Sequence, residues 1–105
     1  MKFIAYFELS ESITPLDMLK GAELLSKAAI TFEGTKVTNW MVTPENWGIA
    51  MIESKSEEHL LHLFSQWRIA VPGVYKVVKC APAMTVEEYT PKLLDLANKM
   101  KKPAK

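Results

Sequence analysis

Residues 2–9 are apolar at the odd positions Phe3, Ala5, Phe7 and Leu9 and also at the even positions Ile4 and Tyr6. A run that is apolar at both parities is the pattern of a strand covered on both faces. After a polar link from Ser10 to Ile13, Thr14-Pro15-Leu16-Asp17 supplies an N-cap, a proline at the first helical position and an acid three residues past the cap. A helix over residues 15–30 is predicted, with Met18, Ala22, Leu25 and Ala29 as its inner stripe and Glu23 and Lys27 outside. Two β-rich runs follow, Lys36 to Thr43 and Trp47 to Glu53, around Pro44-Glu45-Asn46, and read as a hairpin.

Ser56 caps the next helix, whose Glu57 and Glu58 suit the positive end of its dipole. Leu60, Leu63, Phe64 and Trp67 recur on one face of that helix, and Val71-Pro72-Gly73 ends the segment. Val74 to Ala81 is a fourth strand, with Val74, Val78 and Cys80 expected on one side and Tyr75, Val77 and Ala81 on the other. Thr85-Val86-Glu87-Glu88 has the form of a capping box, yet Pro91 would fall inside any helix begun there. The expectation is a short turn, then a fresh helix capped by Thr90 with Pro91 at its first position and an apolar stripe of Leu93, Leu96, Ala97 and Met100. Lys99, Lys101, Lys102 and Lys105 gather at the C-terminal end, and residues 101–105 are expected to fray.

The order β-α-β-β-α-β with a helical tail is that of an α+β, ferredoxin-like domain spanning residues 1–105, in which two helices cover one face of a four-stranded antiparallel sheet. The other face is then bare. Because the strands are apolar at both parities, that face should present more apolar surface than a monomer usually tolerates. A second copy related by a two-fold axis is the simplest cover, so a homodimer with facing sheets is expected.

Composition narrows the field of partners. Thirteen basic and twelve acidic side chains leave a net charge of +1, so no global field draws the chain onto nucleic acid or anionic lipid. The lysines near the end lack interleaved aromatics and read as a solubility feature. Neither a signal peptide nor a membrane span is visible, and the single Cys80 cannot form an internal disulfide, which predicts a cytoplasmic protein.

Asn39-Trp40, the run Trp47 to Ser54, Leu60 with Phe64-Ser65-Gln66-Trp67, and Val74 to Ala83 before Glu87-Glu88 together resemble uncharacterised proteins of the DUF3303 type, in the dimeric α/β-barrel group. The resemblance covers about two-thirds of the chain. It departs at Met41, where the family often has a histidine, and at Arg68-Ile69, where the family has Asp or Leu. It implies the fold and a dimeric barrel; it carries over no catalytic residue. Related dimeric barrels include monooxygenases and haem-degrading enzymes whose sites combine an asparagine, a tryptophan and sometimes a histidine. This chain has Asn39 and Trp67, but both of its histidines lie on the second helix.

Candidate chemistry is sparse. His59, His62 and Glu58 could share a helix face, but the apolar stripe leaves them at its margin and no other Cys or His completes a site, so no metal and no cofactor are expected. Cys80, inside an apolar strand with no histidine beside it in sequence, reads as a packed residue and not a nucleophile. Lys76 and Lys79 should fall on opposite faces of the last strand, so one of them meets a covered face and either reaches water at the sheet edge, the favoured reading, or lines a polar pocket. Asn39 and Trp40 must face opposite sides. A hairpin loop of three residues or of four decides which side each takes. With four, Trp40, Trp47, Ile49 and Met51 share the dimer face while Asn39 points toward the helices beside Gly48 and Ala50.

Tyr6, Asn39 and Trp67 could then form a small-molecule pocket between sheet and helices. Two functions fit this picture. One is a dimer that binds a small apolar ligand or a protein partner; the other is a cofactor-independent monooxygenase or isomerase acting on an aromatic substrate.

Overall fold

The computed structural model describes residues 1–29 and 31–102. Its elements run β1 (Lys2–Leu9), α1 (Pro15–Lys27), β2 (Thr35–Val42), β3 (Trp47–Ser54), α2 (Glu57–Ala70), β4 (Tyr75–Pro82) and α3 (Val86–Met100). The four strands form one open antiparallel sheet in the order β2-β3-β1-β4, an α+β architecture consistent with the ferredoxin-like arrangement. The expected end of the first helix at residue 30 and the tail residues 103–105 lie outside the described residues.

One face of the sheet carries α1 and α2. From β1 it receives Phe3, Ala5 and Phe7, and from β3 Ala50 and Ile52, all buried against Leu25 of α1 and Leu63, Phe64 and Trp67 of α2. Thr14 caps α1 in a reciprocal box with Asp17: its hydroxyl accepts from the Asp17 amide at 3.1 Å, and its own amide donates to the Asp17 carboxylate at 2.9 Å. Those bonds hold the Asp17 carboxyl below its usual pKa. Ser56 caps α2 by accepting from the His59 amide at 3.2 Å.

The inner stripe of α1 differs from the expected one. Leu25 and Gly21 are buried and Met18 packs against the core, whereas Ala22 and Ala29 are exposed. Gly21 packs against the C-terminal end of α2, where a Cβ would collide with the Val71 side chain. Hydrophobic spacing alone does not register a glycine as a contact residue, although the absence of a side chain is what lets the backbones meet.

β4 starts and ends one residue later than expected and breaks register against β1 between Glu8 and Leu9. The break brings Tyr75 onto the helix side, where its ring meets Phe7 at 6.2 Å and Phe64 at 6.1 Å. Tyr75 is thus not on the Val77 and Ala81 side. Burial there pushes its phenol up to about 12, despite the opposing pull of Arg68, whose guanidinium stacks 5.6 Å from the ring.

The last helix also differs. It runs unbroken from Val86 to Met100 with Thr85 as its N-cap, and Pro91 sits inside it. The missing Pro91 N–H leaves the helix one hydrogen bond short, a defect that water relieves because no residue of α3 is buried. The Thr90 hydroxyl donates to the Val86 carbonyl at 2.7 Å instead of capping a new helix.

Candidate functional site

The layer between the middle of the sheet and α2, where Trp67 lies, has no room for a ligand. Between Ala5, Phe7, Trp40, Ala50, Leu63 and Phe64 a void of about 10 Å³ remains, around the volume that admits one water. Trp67 fills this layer, stacked on Phe32 at 6.2 Å and perpendicular to Trp40 at 5.4 Å. Its Nε1 is the one buried side-chain polar atom without a hydrogen-bond partner among the described residues.

Two features put Trp40 on that side. The Thr43 amide donates to the Trp47 carbonyl at 2.7 Å, which closes the hairpin with three residues, 44–46, in the turn. Next to it Met41 pairs with Ile49 and Val42 with Gly48, but farther along Thr38 pairs with Met51. Asn39 and Trp40 therefore oppose a single residue across the ladder, a β-bulge. Asn39 takes a left-handed φ of 50°, which asparagine tolerates better than most residues. As expected, the two side chains part: Trp40 packs on Trp67, while the Asn39 amide donates to Met51 Sδ at 3.2 Å on the opposite face. The four-residue arrangement, with Trp40 beside Trp47 and Asn39 toward the helices, is not the one adopted.

The sheet consequently separates the three candidate pocket residues. Tyr6 and Asn39 belong to the uncovered face, and Trp67 is buried beneath the other. They do not line one cavity.

The uncovered face is itself apolar at its centre. Ile4 is 45 % exposed, Trp47 39 % and Met51 37 %, with Tyr6 and Ile49 half-buried between them. Tyr6 and Trp47 rings lie 6.1 Å apart. Polar groups border the patch. The Tyr6 hydroxyl donates to Glu8 Oε2 at 3.0 Å, and that bond together with burial raises the Tyr6 phenol above its ordinary pKa. Lys79 pairs with Tyr6 across β1 and β4, and is exposed. At one end of the face the link Ala83-Met84-Thr85 lies against Ile4, Thr38 and Met51 and encloses a cleft of about 220 Å³. This cleft and the polar groups beside it, which the hydrophobic pattern gave no means to locate, form the candidate site.

The remaining reactive groups do not converge on it. Cys80 is on the helix side, paired with Ala5, and burial pushes its thiol up, away from the thiolate a nucleophile needs. His59 Nδ1 is 2.7 Å from the Ser56 hydroxyl, whereas His62 Nε2 is 3.9 Å from Glu58 on the exposed surface of α2. Among the described residues no three His, Cys, Asp or Glu side chains are grouped to hold a metal, and no helix is long and apolar enough to cross a membrane. No protein-family model matches the chain, and no curated protein is significantly similar to it.

Proposed function

We propose that the chain is a homodimer in which two uncovered sheet faces meet, and that the clefts at this junction bind a small apolar ligand bearing a hydrogen-bonding group. The observation that carries this reading is the apolar patch of Ile4, Tyr6, Trp47, Ile49 and Met51, bordered by polar groups that have capacity to spare. Glu8 accepts from Tyr6 through one of its two carboxylate oxygens, and the Asn39 amide nitrogen donates only to a thioether, a weak acceptor. A second sheet would close the 220 Å³ cleft at Ile4 and Met51 and strengthen both polar contacts by excluding water. The same dimer would be a barrel of the kind the DUF3303-like resemblance implies, in keeping with a cytoplasmic protein that needs neither cofactor nor nucleic acid.

Binding is favoured over catalysis by the titrating groups. Tyr6 is shifted upward by its bond to Glu8, and Tyr75 and Cys80 lie on the helix side, away from the cleft. The environment-sensitive dye anilinonaphthalenesulfonate tests the reading. It should bind the folded chain with enhanced emission and quench Trp47, and Met51→Lys should reduce binding at least tenfold while the circular dichroism is unchanged. Equal binding by wild type and Met51→Lys would reject the site.

A further inference from the structure

We propose that α3 is an exchanged arm whose apolar stripe docks into the groove between α2 and β4 of a second copy of this chain. The inference rests on the homodimer reading above and adds to it the place of α3.

The arm is unpartnered in its own chain. Val86, Tyr89, Leu93, Leu96 and Met100 recur at alternating intervals of three and four residues, the spacing of a helix seam that packs on one partner. Yet no residue of α3 is buried, and its two ends are the most exposed, Val86 at 76 % and Met100 at 77 %. A helix of 15 residues that buries none of them and is tied to its own chain by an exposed ion pair is marginal in water. The molecule shows the consequence in its dimensions: the radius of gyration is 18.0 Å and the longest extent 61 Å. A compact chain of this length would have a radius near about 13 Å.

The receptor is unfilled as well. α2 meets β4 at Tyr75, which touches Phe64 and Arg68, and leaves the far end of the strand, Val78 to Pro82, only partly covered. There Phe3, Leu60, Phe64, Val78, Cys80 and Pro82 line an open groove of about 390 Å³. Its own α3 is ill placed to fill it. The link Ala83-Met84-Thr85 turns onto the uncovered face, and Lys2 Nζ holds Glu88 there at 2.9 Å, so α3 starts on the side of the sheet away from the groove. In a face-to-face dimer, that side is where the partner stands. Exchange of one terminal element about a two-fold axis satisfies both surfaces without new sequence.

Charge fixes a direction for the arm. Glu57 and Arg68 flank the groove eleven residues apart on α2, and Glu88 and Lys99 are eleven residues apart on one polar edge of α3. An arm antiparallel to α2 exchanges the exposed intrachain pairs Lys2–Glu88 and Lys99–Asp95 for Glu88 beside Arg68 and Lys99 beside Glu57; a parallel arm opposes like charges at both ends.

Leu93→Cys places a thiol on the exposed stripe, and the native Cys80 in the groove is its reporter. Mild oxidation should give a covalent dimer as the main species on a non-reducing gel, and adding Cys80→Ala should return it to background. Three results overturn the exchange. A covalent dimer that persists with Cys80→Ala means the arms pair with each other. A disulfide within one chain means the arm folds back. No disulfide, in a variant that sediments as a dimer, leaves the facing sheets standing without the arm. A variant and wild type that both sediment as monomers remove the homodimer reading too. Hydrogen exchange on the unmutated chain checks the result without substitution: α3 amides should be protected at high protein concentration and lose protection on dilution, whereas full exchange within the dimer contradicts the proposal.

Discussion

The two faces of the sheet are built from the same strands and differ in what finishes them. On the helix side Phe3, Ala5, Phe7, Ala50 and Ile52 meet α1 and α2 and are almost wholly removed from water. On the other side Ile4, Tyr6, Ile49 and Met51, their immediate sequence neighbours, remain partly or largely exposed. Hydrophobicity hardly distinguishes the two sets. What distinguishes them is that α1 and α2 cover only one of the two, so under the dimer proposed above the alternation of burial along a strand would mark the boundary between folding within one chain and association with another.

The sharpest way to break that comparison is to truncate one tryptophan on each side. Trp67→Ala, on the covered face, should destabilise the fold by about 3–5 kcal/mol in denaturant titration. Trp47→Ala, on the uncovered face, should change the stability of the isolated chain by about 0.5 kcal/mol or less and act instead on association. Trp67→Phe should fall between them, because it loses packing yet removes the buried indole N–H that has no acceptor. Equal losses for Trp67→Ala and Trp47→Ala would erase the distinction between the faces.

Alkaline pH offers a second contrast, of about 3 kcal/mol. Tyr75 is buried on the helix side with its phenol at about 12, against 10.0 when unperturbed. Its raised value means the folded state holds the proton more tightly, so this stabilisation is complete below pH 10 and disappears as pH rises through about 12. Tyr75→Phe should flatten that part of the stability curve, read by thermal melts across the range. Tyr6→Phe, on the uncovered face, should leave most of it in place.

A smaller effect is expected where the faces exchange residues. Asn39→Val would put a β-branched residue at a φ of 50°, at a cost of about 1–2 kcal/mol, and should loosen the bulge that turns Trp40 inward. The reading is red-shifted tryptophan emission as Trp40 leaves Trp67; an unchanged spectrum would show that the bulge does not depend on Asn39.

Much of the covered face was legible in the sequence, since β1, β3 and the stripe of α2 follow from parity and helical spacing, and the caps at Thr14 and Ser56 mark the helix starts. The stripe of α1 was misread because Gly21 packs by having no side chain. The candidate site was misread on two counts: a strand apolar at both parities does not say which face the helices cover, so Tyr6 was set with Trp67, and a single bulge decides which way Asn39 and Trp40 face, which spacing does not encode. The course of α3 was misjudged for a related reason: an interior proline crowds the preceding turn and costs a hydrogen bond, but a helix can still run through it where the freed carbonyl meets water, and exposure is a property of the fold.

Sedimentation equilibrium of the full chain at micromolar concentration, beside Met51→Lys, tests most directly whether the uncovered face is an interface. The account predicts twice the chain mass of 11.9 kDa for the wild type and a folded monomer for the variant. A wild type that stays monomeric, or a Met51→Lys chain that remains a dimer, would contradict it.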